Sequence, residues 1–416
     1  MRVACILARG TEGCGVTKFQ VEQAKWLKRH GHECRVFTMA DKGYAREKSH
    51  EVADFTRVKF SSFEEVNSML EWCNAAGVVF INSLPPKQNG HTSPLPEKAY
   101  ENWKWFLDGV NNLALIQHDH KIYSLRRNAL MDEAIAAAEM IFVHSASNDF
   151  VSYVRTNFDY DSSLDKFFGT ESPKTPIRSF QPGYSFDKTR WVPIEEQDAG
   201  HHKWVGRSTS WKGYSLMFDF SKLLCGELNA LVTLEGIDKS PGFLSVKGNY
   251  DFHSHVGSGL DKIDQTPIEQ YRGTKPAVFS SFTNEGLLRR MARCGFGYQT
   301  SLLDQKFIER SIEYTHCEII QAGVVPVFRQ EYGERCRHRV TGDPLIDSKN
   351  NFTIWLGAEN QQGCINTIRR LIDDPVERNE WRHGAHEFYS AHQDSENTFE
   401  EMMRHVSDVI VMKSTA

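Results

Sequence analysis

A chain of 416 residues exceeds what one ordinary hydrophobic core supports and suits two domains of about 150–200 residues each. With 40% hydrophobic and 25% charged residues the composition is globular. A formal net charge of −5 argues against bulk electrostatic coating of nucleic acid but leaves room for a local basic patch.

The opening segment Met1–Leu7 is too short, and too soon followed by Arg9, for a signal peptide, and it reads as a buried strand. A Gly-rich turn follows (Gly10, Gly13, Gly15), then an amphipathic helix from about Thr17 to His30. Its apolar residues Phe19, Val21, Ala24, Trp26 and Leu27 leave Lys18, Gln20, Glu22, Lys25 and Lys28 for solvent. Gly31 ends the helix as a C′ glycine, and Cys34–Phe37 restarts a strand, which completes a βαβ unit. Short apolar strands recur at Val78–Ile81, Ala114–Ile116 and Met140–Val143, an alternation that predicts a parallel, doubly wound sheet.

From Phe158 to Gln197 the pattern lapses into Asp, Ser, Pro and Gly and reads as an inter-domain connection. A second alternating series runs through Lys203–Val205, Leu231–Leu234, Phe296–Gln299 and Val324–Phe328. The stretch Asp374–Met412 is helical and charged. The expected division is one domain over 1–185, a second over 200–385, and a helix over 386–416 that packs back on the first domain. Both sheets are expected to face a cleft, because ligands of open α/β sheets bind beyond the carboxyl ends of the strands. Nine cysteines without metal-like spacing fit a reducing cytosol, and no stretch approaches the roughly 20 apolar residues that cross a bilayer.

Gly206-Arg207 follows a strand directly, and Lys212-Gly213 stands just before a helical run. An Arg and a Lys held there suit a departing diphosphate, whose growing negative charge they neutralise without a metal. The alternative is a solvated basic loop. Glu318, below a turn that runs from Gly323 into Pro326-Val327, suits the two hydroxyls of a ribose. Glu313, about 140° away around a helix, faces elsewhere and reaches toward a donor sugar. The alternative for either carboxylate is an ordinary surface helix residue, and the Gly and Pro-Val context favours the ribose role for Glu318 more than the sugar role for Glu313.

The turn Gly10–Gly15 brings backbone N–H groups close to a phosphate or sugar, or serves only helix–sheet packing. Gln117-His118-Asp119-His120 follows a strand, where His118 or Asp119 can take a proton from an acceptor hydroxyl; His118 with His120 as a metal pair lacks a third ligand. Asp159-Tyr160-Asp161 has the metal-binding Asp-x-Asp form but no strand leads into it, so no metal site is assigned. Arg126-Arg127, Arg289-Arg290 with Arg293, and Arg335, Arg337 and Arg339 are candidates for phosphate-backbone contact, the first pair being favoured.

Several of these segments resemble one family, the DNA α-glucosyltransferases of T-even bacteriophages. The likeness rests on Ala8–Phe19, Gln117–His120 with Ser124–Asn128, Gly206–Gly213, Gly295–Gln299, Ser311–Glu318 and His392–Ser395. The resemblance implies the GT-B fold, two Rossmann-like domains around a cleft. It implies retaining transfer of glucose from UDP-glucose to 5-hydroxymethylcytosine in double-stranded DNA, shielding that DNA from host nucleases in the cytoplasm of an infected bacterium. UDP-arabinose is the alternative donor, and a glycan or small molecule the more distant alternative acceptor. Carried onto this chain, the resemblance implies Arg207, Lys212, Gly15 and Val16 at the diphosphate and Glu318, Glu313 and His316 at the ribose and sugar. His118 and Asp119 stand at the reaction centre, Asp119 as the favoured base, with Arg126, Arg127 and Lys121 toward DNA. No cofactor is required beyond the co-substrate. Arg310 occupies the position where many retaining GT-B enzymes carry a further Glu, which directs the sugar contact to Glu313 or a neighbour.

Overall fold

Strands buried on both faces read as continuous apolar runs, and the amphipathic stretches between them form the crossovers of parallel sheets. The computed structural model describes residues 1–8, 15–41, 54–85, 95–118, 130–144, 150, 153–154, 157, 177–180, 182–206, 213–236, 277–279, 284–301, 312–338 and 341–415. Contacts divide the chain into one unit of Met1–Gly183 with Ser395–Ala416 and a second of Tyr184–Asp394. The chain thus changes unit at 183/184 and again at 394/395; the sequence reading sets these changes at 185–200 and at 386.

The first unit holds β1 (Arg2–Leu7), β2 (Glu33–Met39), β3 (Thr56–Val58), β4 (Val78–Ser83), β5 (Leu113–Gln117), β6 (Met140–His144) and β7 (Ile177–Phe180). They pair in the order β3-β2-β1-β4-β5-β6-β7, parallel throughout. β7 lies inside the stretch read as a connection: its Ile177-Arg178-Ser179-Phe180 is too short to stand out among the neighbouring prolines, yet it extends the sheet. The helices are α1 (Gly15–Arg29), α2 (Phe63–Asn74), α3 (Glu97–Gly109) and α4 (Met131–Ala137). Phe60 stacks on Trp103 with ring centroids 4.2 Å apart in the core between sheet and helices.

The burial of α1 departs from the sequence expectation. Lys18, Gln20 and Glu22 are buried, and Val21 is only half-buried. Gln20 faces the sheet, where it meets Asn82 of β4 and Gln23, and the C-terminal helix Ser395–Thr415 covers the side of α1 that carries Phe19 and Trp26. Phe399 of that helix meets Phe19 at 5.3 Å, and Trp26 Nε1 donates to Glu396 at 2.8 Å. Arg29 pairs with the same carboxylate at 2.8 Å, which also stands in the first turn of its helix, where the dipole favours an anion.

The second unit holds β8 (Asp198–Gly206), β9 (Leu231–Gly236), β10 (Ala277–Phe279), β11 (Cys294–Gln299), β12 (Val325–Arg329) and β13 (Ile354–Leu356) in the order β10-β9-β8-β11-β12-β13, again parallel. Its helices are α5 (Tyr214–Leu228), α6 (Asn284–Met291), α7 (Tyr314–Gln321), α8 (Gln330–Arg335), α9 (Gln361–Asp373) and α10 (Pro375–Gln393). Asp374 starts α10 by accepting from the amides of Val376 and Glu377 at 3.0 Å each, with Pro375 at the first helical position. The stretch read as helical over 374–412 forms two helices, interrupted at Asp394, where the chain leaves the second unit.

In each sheet the chain steps outward from the first strand and then returns to its other side. The strand order therefore reverses between β1 and β4 and between β8 and β11. Beyond the carboxyl ends of those paired strands lies the crevice where doubly wound sheets bind ligands.

Two consequences are measurable. Phe19 touches Phe180, Phe399 and His118, so Phe19→Ala should lower unfolding free energy by about 3–5 kcal/mol in urea titrations. His202 is fully buried on β8, and burial first, then neighbouring His201, pushes its imidazole down to about 3. The unfolded chain titrates it near 6.5, so between these values the unfolded state binds the extra proton and stability falls as pH drops. Below pH 6 the wild type should lose stability more steeply than His202→Gln, by up to about 1.4 kcal/mol per pH unit.

Candidate functional site

At the carboxyl edge of the second sheet, Gly206 closes β8 opposite Gly236, and Gly213 is the N-cap of α5. Gly213 has φ +68°, and a Cβ there would stand 1.6 Å from the Thr300 carbonyl oxygen. No side chain fits this approach, so only glycine lets the helix begin against the end of β11. The contact is reinforced on both sides: Thr300 Oγ1 donates to the Gly213 carbonyl at 3.0 Å and accepts from Trp204 Nε1 at 2.9 Å. The segment between these glycines carries Arg207 and Lys212, which lie outside the described residues; its two ends stand at the switch point.

Beside it, Gln299, Thr300 and Ser301 are fully buried where β11 ends. Glu313 is the N-cap residue of α7, not part of its helical turns, so the 100°-per-residue estimate of its direction does not apply. Its carboxylate is held from two sides. Tyr332 donates its hydroxyl to Oε1 at 3.0 Å, and Gln299 donates its amide to Oε2 at 3.3 Å. Ser301 Oγ lies 2.8 Å from Gln299 Oε1 and 3.4 Å from Glu313 Oε2. An anionic acceptor fixed in this way suits the hydroxyls of a sugar.

Glu318 and His316 are buried on α7. His316 packs edge-on against Phe328 at 4.4 Å and against Tyr332 at 4.7 Å. Tyr332 thus joins Glu313 to His316. The sequence reading missed it, and missed Gln299 and Ser301 as side-chain partners, although three polar residues in a row at the end of an apolar strand are the visible signal.

In the first unit, Gly15 is exposed and Val16 half-buried at the start of α1, which follows the end of β1. His118 stands just past β5, with its ring edge-on to Phe19 at 4.8 Å and to Phe180 at 5.7 Å. Its Nε2 is 3.2 Å from Asn82 Oδ1, at the end of β4. Asp119, His120, Lys121, Arg126 and Arg127 lie outside the described residues, as do Gly10, Gly13, Asp159–Asp161 and Arg339. Arg289 and Arg293 are exposed at the end of α6 and beyond it, and Arg290, Arg335 and Arg337 are half-buried. Among the described residues no group of three or more His, Cys, Asp or Glu side chains is placed to hold a metal ion. None of the described helices is long and apolar enough to cross a membrane.

Comparison with known proteins places this arrangement in context. The family model "DNA alpha-glucosyltransferase" matches residues 14–376. The DNA alpha-glucosyltransferase of Enterobacteria phage T4 is 33% identical over 409 residues, spanning 96% of this chain and 98% of that protein. A solved alpha-glucosyltransferase bound to UDP-glucose and DNA with an abasic site superimposes with TM-score 0.82 at 31% identity, covering 98% of this chain and 99% of that one. One bound to UDP and a 13-mer DNA with an HMU base gives TM-score 0.82 at 30% identity over 99% of each chain.

The Gly213 approach is testable on stability alone. Gly213→Ala should destabilise the chain by about 1–3 kcal/mol or more, from forced positive φ and the Thr300 clash. Gly226, in α5 with open space at its Cβ position, is the control, and Gly226→Ala should leave stability unchanged or raise it by about 0.5–1 kcal/mol in the same denaturant titration.

Proposed function

Because this chain belongs to the DNA alpha-glucosyltransferase family, we propose that it moves glucose from UDP-glucose to the hydroxymethyl oxygen of 5-hydroxymethylcytosine in double-stranded DNA. It is a glycosyltransferase with the GT-B fold, two Rossmann-like units each built on a parallel sheet. The observation that carries the acceptor and the donor is agreement over nearly the whole chain with relatives solved with UDP-glucose and with DNA.

In this reading the hydroxymethyl oxygen forms a bond to the anomeric carbon of glucose as the bond from that carbon to the diphosphate breaks. The donor is α-linked and the family makes α-glucosides, so configuration is retained. Arg207 and Lys212 neutralise the charge that grows on the leaving diphosphate, Arg by a two-pronged grip and Lys as a point charge. The amides of Gly15 and Val16, at the start of α1, add donors to the same group.

Glu318 takes the ribose hydroxyls and Glu313, with His316 nearby, the sugar; the fixing of Glu313 by Tyr332 and Gln299 supports that role. His118 and Asp119 serve the reaction centre, Asp119 taking the proton from the hydroxymethyl group. Arg126, Arg127 and Lys121 contact the DNA backbone, and the modified base leaves the stack to react. No metal or other cofactor enters these steps, because Arg and Lys carry the charge. The reaction takes place in the cytoplasm of an infected bacterium, where the added glucose shields phage DNA from host nucleases.

The decisive assay incubates the chain with hydroxymethylated duplex DNA and either UDP-glucose or UDP-arabinose, then digests to nucleosides for mass spectrometry. A gain of one hexose is expected with UDP-glucose. A pentose gain alone would assign the arabinose donor, and no gain with either would overturn the DNA-transferase reading. In the same assay Arg207→Ala and Lys212→Ala should each slow transfer by roughly 2–4 kcal/mol of barrier, the range for losing one electrostatic stabiliser.

A further inference from the structure

Three side-chain amides are buried together in the first unit. Gln20 and Gln23 come from α1 and Asn82 from the end of β4; all are at most 2% exposed. Burying an amide is costly unless its hydrogen bonds are met, and these meet one another. Asn82 Nδ2 donates to Gln23 Oε1 at 3.1 Å and to Gln20 Oε1, and Gln20 Nε2 donates to Gln23 Oε1 at 3.3 Å.

Both amide hydrogens of Asn82 are thereby committed to glutamines. Its oxygen is turned the other way, to His118 Nε2 at 3.2 Å. A carbonyl oxygen only accepts, so the proton of the neutral imidazole sits on Nε2 and the lone pair on Nδ1. The backbone contributes as well. β1 and β4 pair residue by residue until Ile6 opposite Ile81, then slip so that Leu7 meets Ser83. The irregularity falls at Asn82. Bulges of this kind re-aim a side chain, and they are common beside active sites. Phe19 and Phe180, edge-on to the imidazole, hold its plane.

We infer that Asn82, oriented by Gln20 and Gln23 and by the slip in β4, is a positioning residue that fixes the tautomer and ring plane of His118 for sugar transfer. The inference rests on the role proposed for His118 at the reaction centre. It does not require Asn82 to touch either substrate. Asn82→Leu keeps the approximate volume and removes the acceptor. Asn82→Asp keeps an acceptor, and the two glutamines can turn their amides to donate to it.

The test uses the full chain with ring-¹⁵N-labelled histidine, the His118 signal being assigned by its loss in His118→Gln. Wild type should show a protonated Nε2 and an unprotonated Nδ1. Asn82→Leu should give mixed tautomers, and kcat on hydroxymethylated DNA should fall by about 10- to 100-fold, as expected when an orienting partner is lost, with KM for UDP-glucose within about twofold. Asn82→Asp should recover the tautomer and most of kcat. A wild-type His118 with its proton on Nδ1 overturns the inference without any variant, so poor folding of Asn82→Leu does not shelter it. An Asn82→Leu enzyme with kcat within twofold of wild type overturns it too. If wild type transfers no sugar to DNA, the functional reading falls, and the tautomer measurement alone then decides the positioning claim.

Discussion

Where α5 begins, its backbone lies so close to the end of β11 that nothing larger than hydrogen fits on Gly213. Much of the second unit's candidate site follows from that approach. It sets where the loop from β8 returns to the sheet, and so where the proposed Arg207–Lys212 clamp is anchored. It also brings Thr300 into a chain of hydrogen bonds from Trp204 to the Gly213 carbonyl. The neighbouring Gln299 and Ser301 then reach Glu313, whose other oxygen is taken by Tyr332. A small residue at one strand-to-helix junction thus settles the positions of polar groups drawn from four separate elements.

The first unit solves the same topological problem differently. Its strand order also reverses beside its first strand, and His118, proposed for the reaction centre, stands at a carboxyl edge. There the fixing agent is a buried set of amides rather than a glycine contact. The helix that carries two of those amides is covered on its outer side by the last helix of the chain, so α1 is held between sheet and helix. The amides face the sheet, away from solvent, and hydrogen-bond to one another.

Much of this was legible in the sequence. Val78–Ile81 and Ala114–Ile116 are apolar runs that suit a buried parallel sheet, and Gly206 ends a strand and Gly213 precedes a helix as the sequence reads. What was illegible has a common cause, contact with residues distant in the chain. Gln20 looks solvent-facing until Asn82, some sixty positions later, meets it from β4. β7 is four residues long in a Pro-rich stretch and is stabilised by pairing with β6, which local propensity does not report. Glu313 reads as a helical residue but stands at the N-cap position of α7 with extended backbone, its carboxylate held by Tyr332 and Gln299. Asn82 carries no motif; its meaning comes from a slip in strand pairing.

The proposed function divides the labour: Arg207, Lys212, Glu318 and Glu313 of the second unit hold the donor, with Gly15 and Val16 adding to the diphosphate, while His118 and Asp119 of the first serve the proton. Calorimetric titration of UDP into wild type and into Asp119→Ala, alongside transfer rates for both, tests this most directly. UDP affinity should agree within about twofold while transfer by the variant collapses. A matched loss of UDP affinity would put Asp119 at the donor and contradict the division.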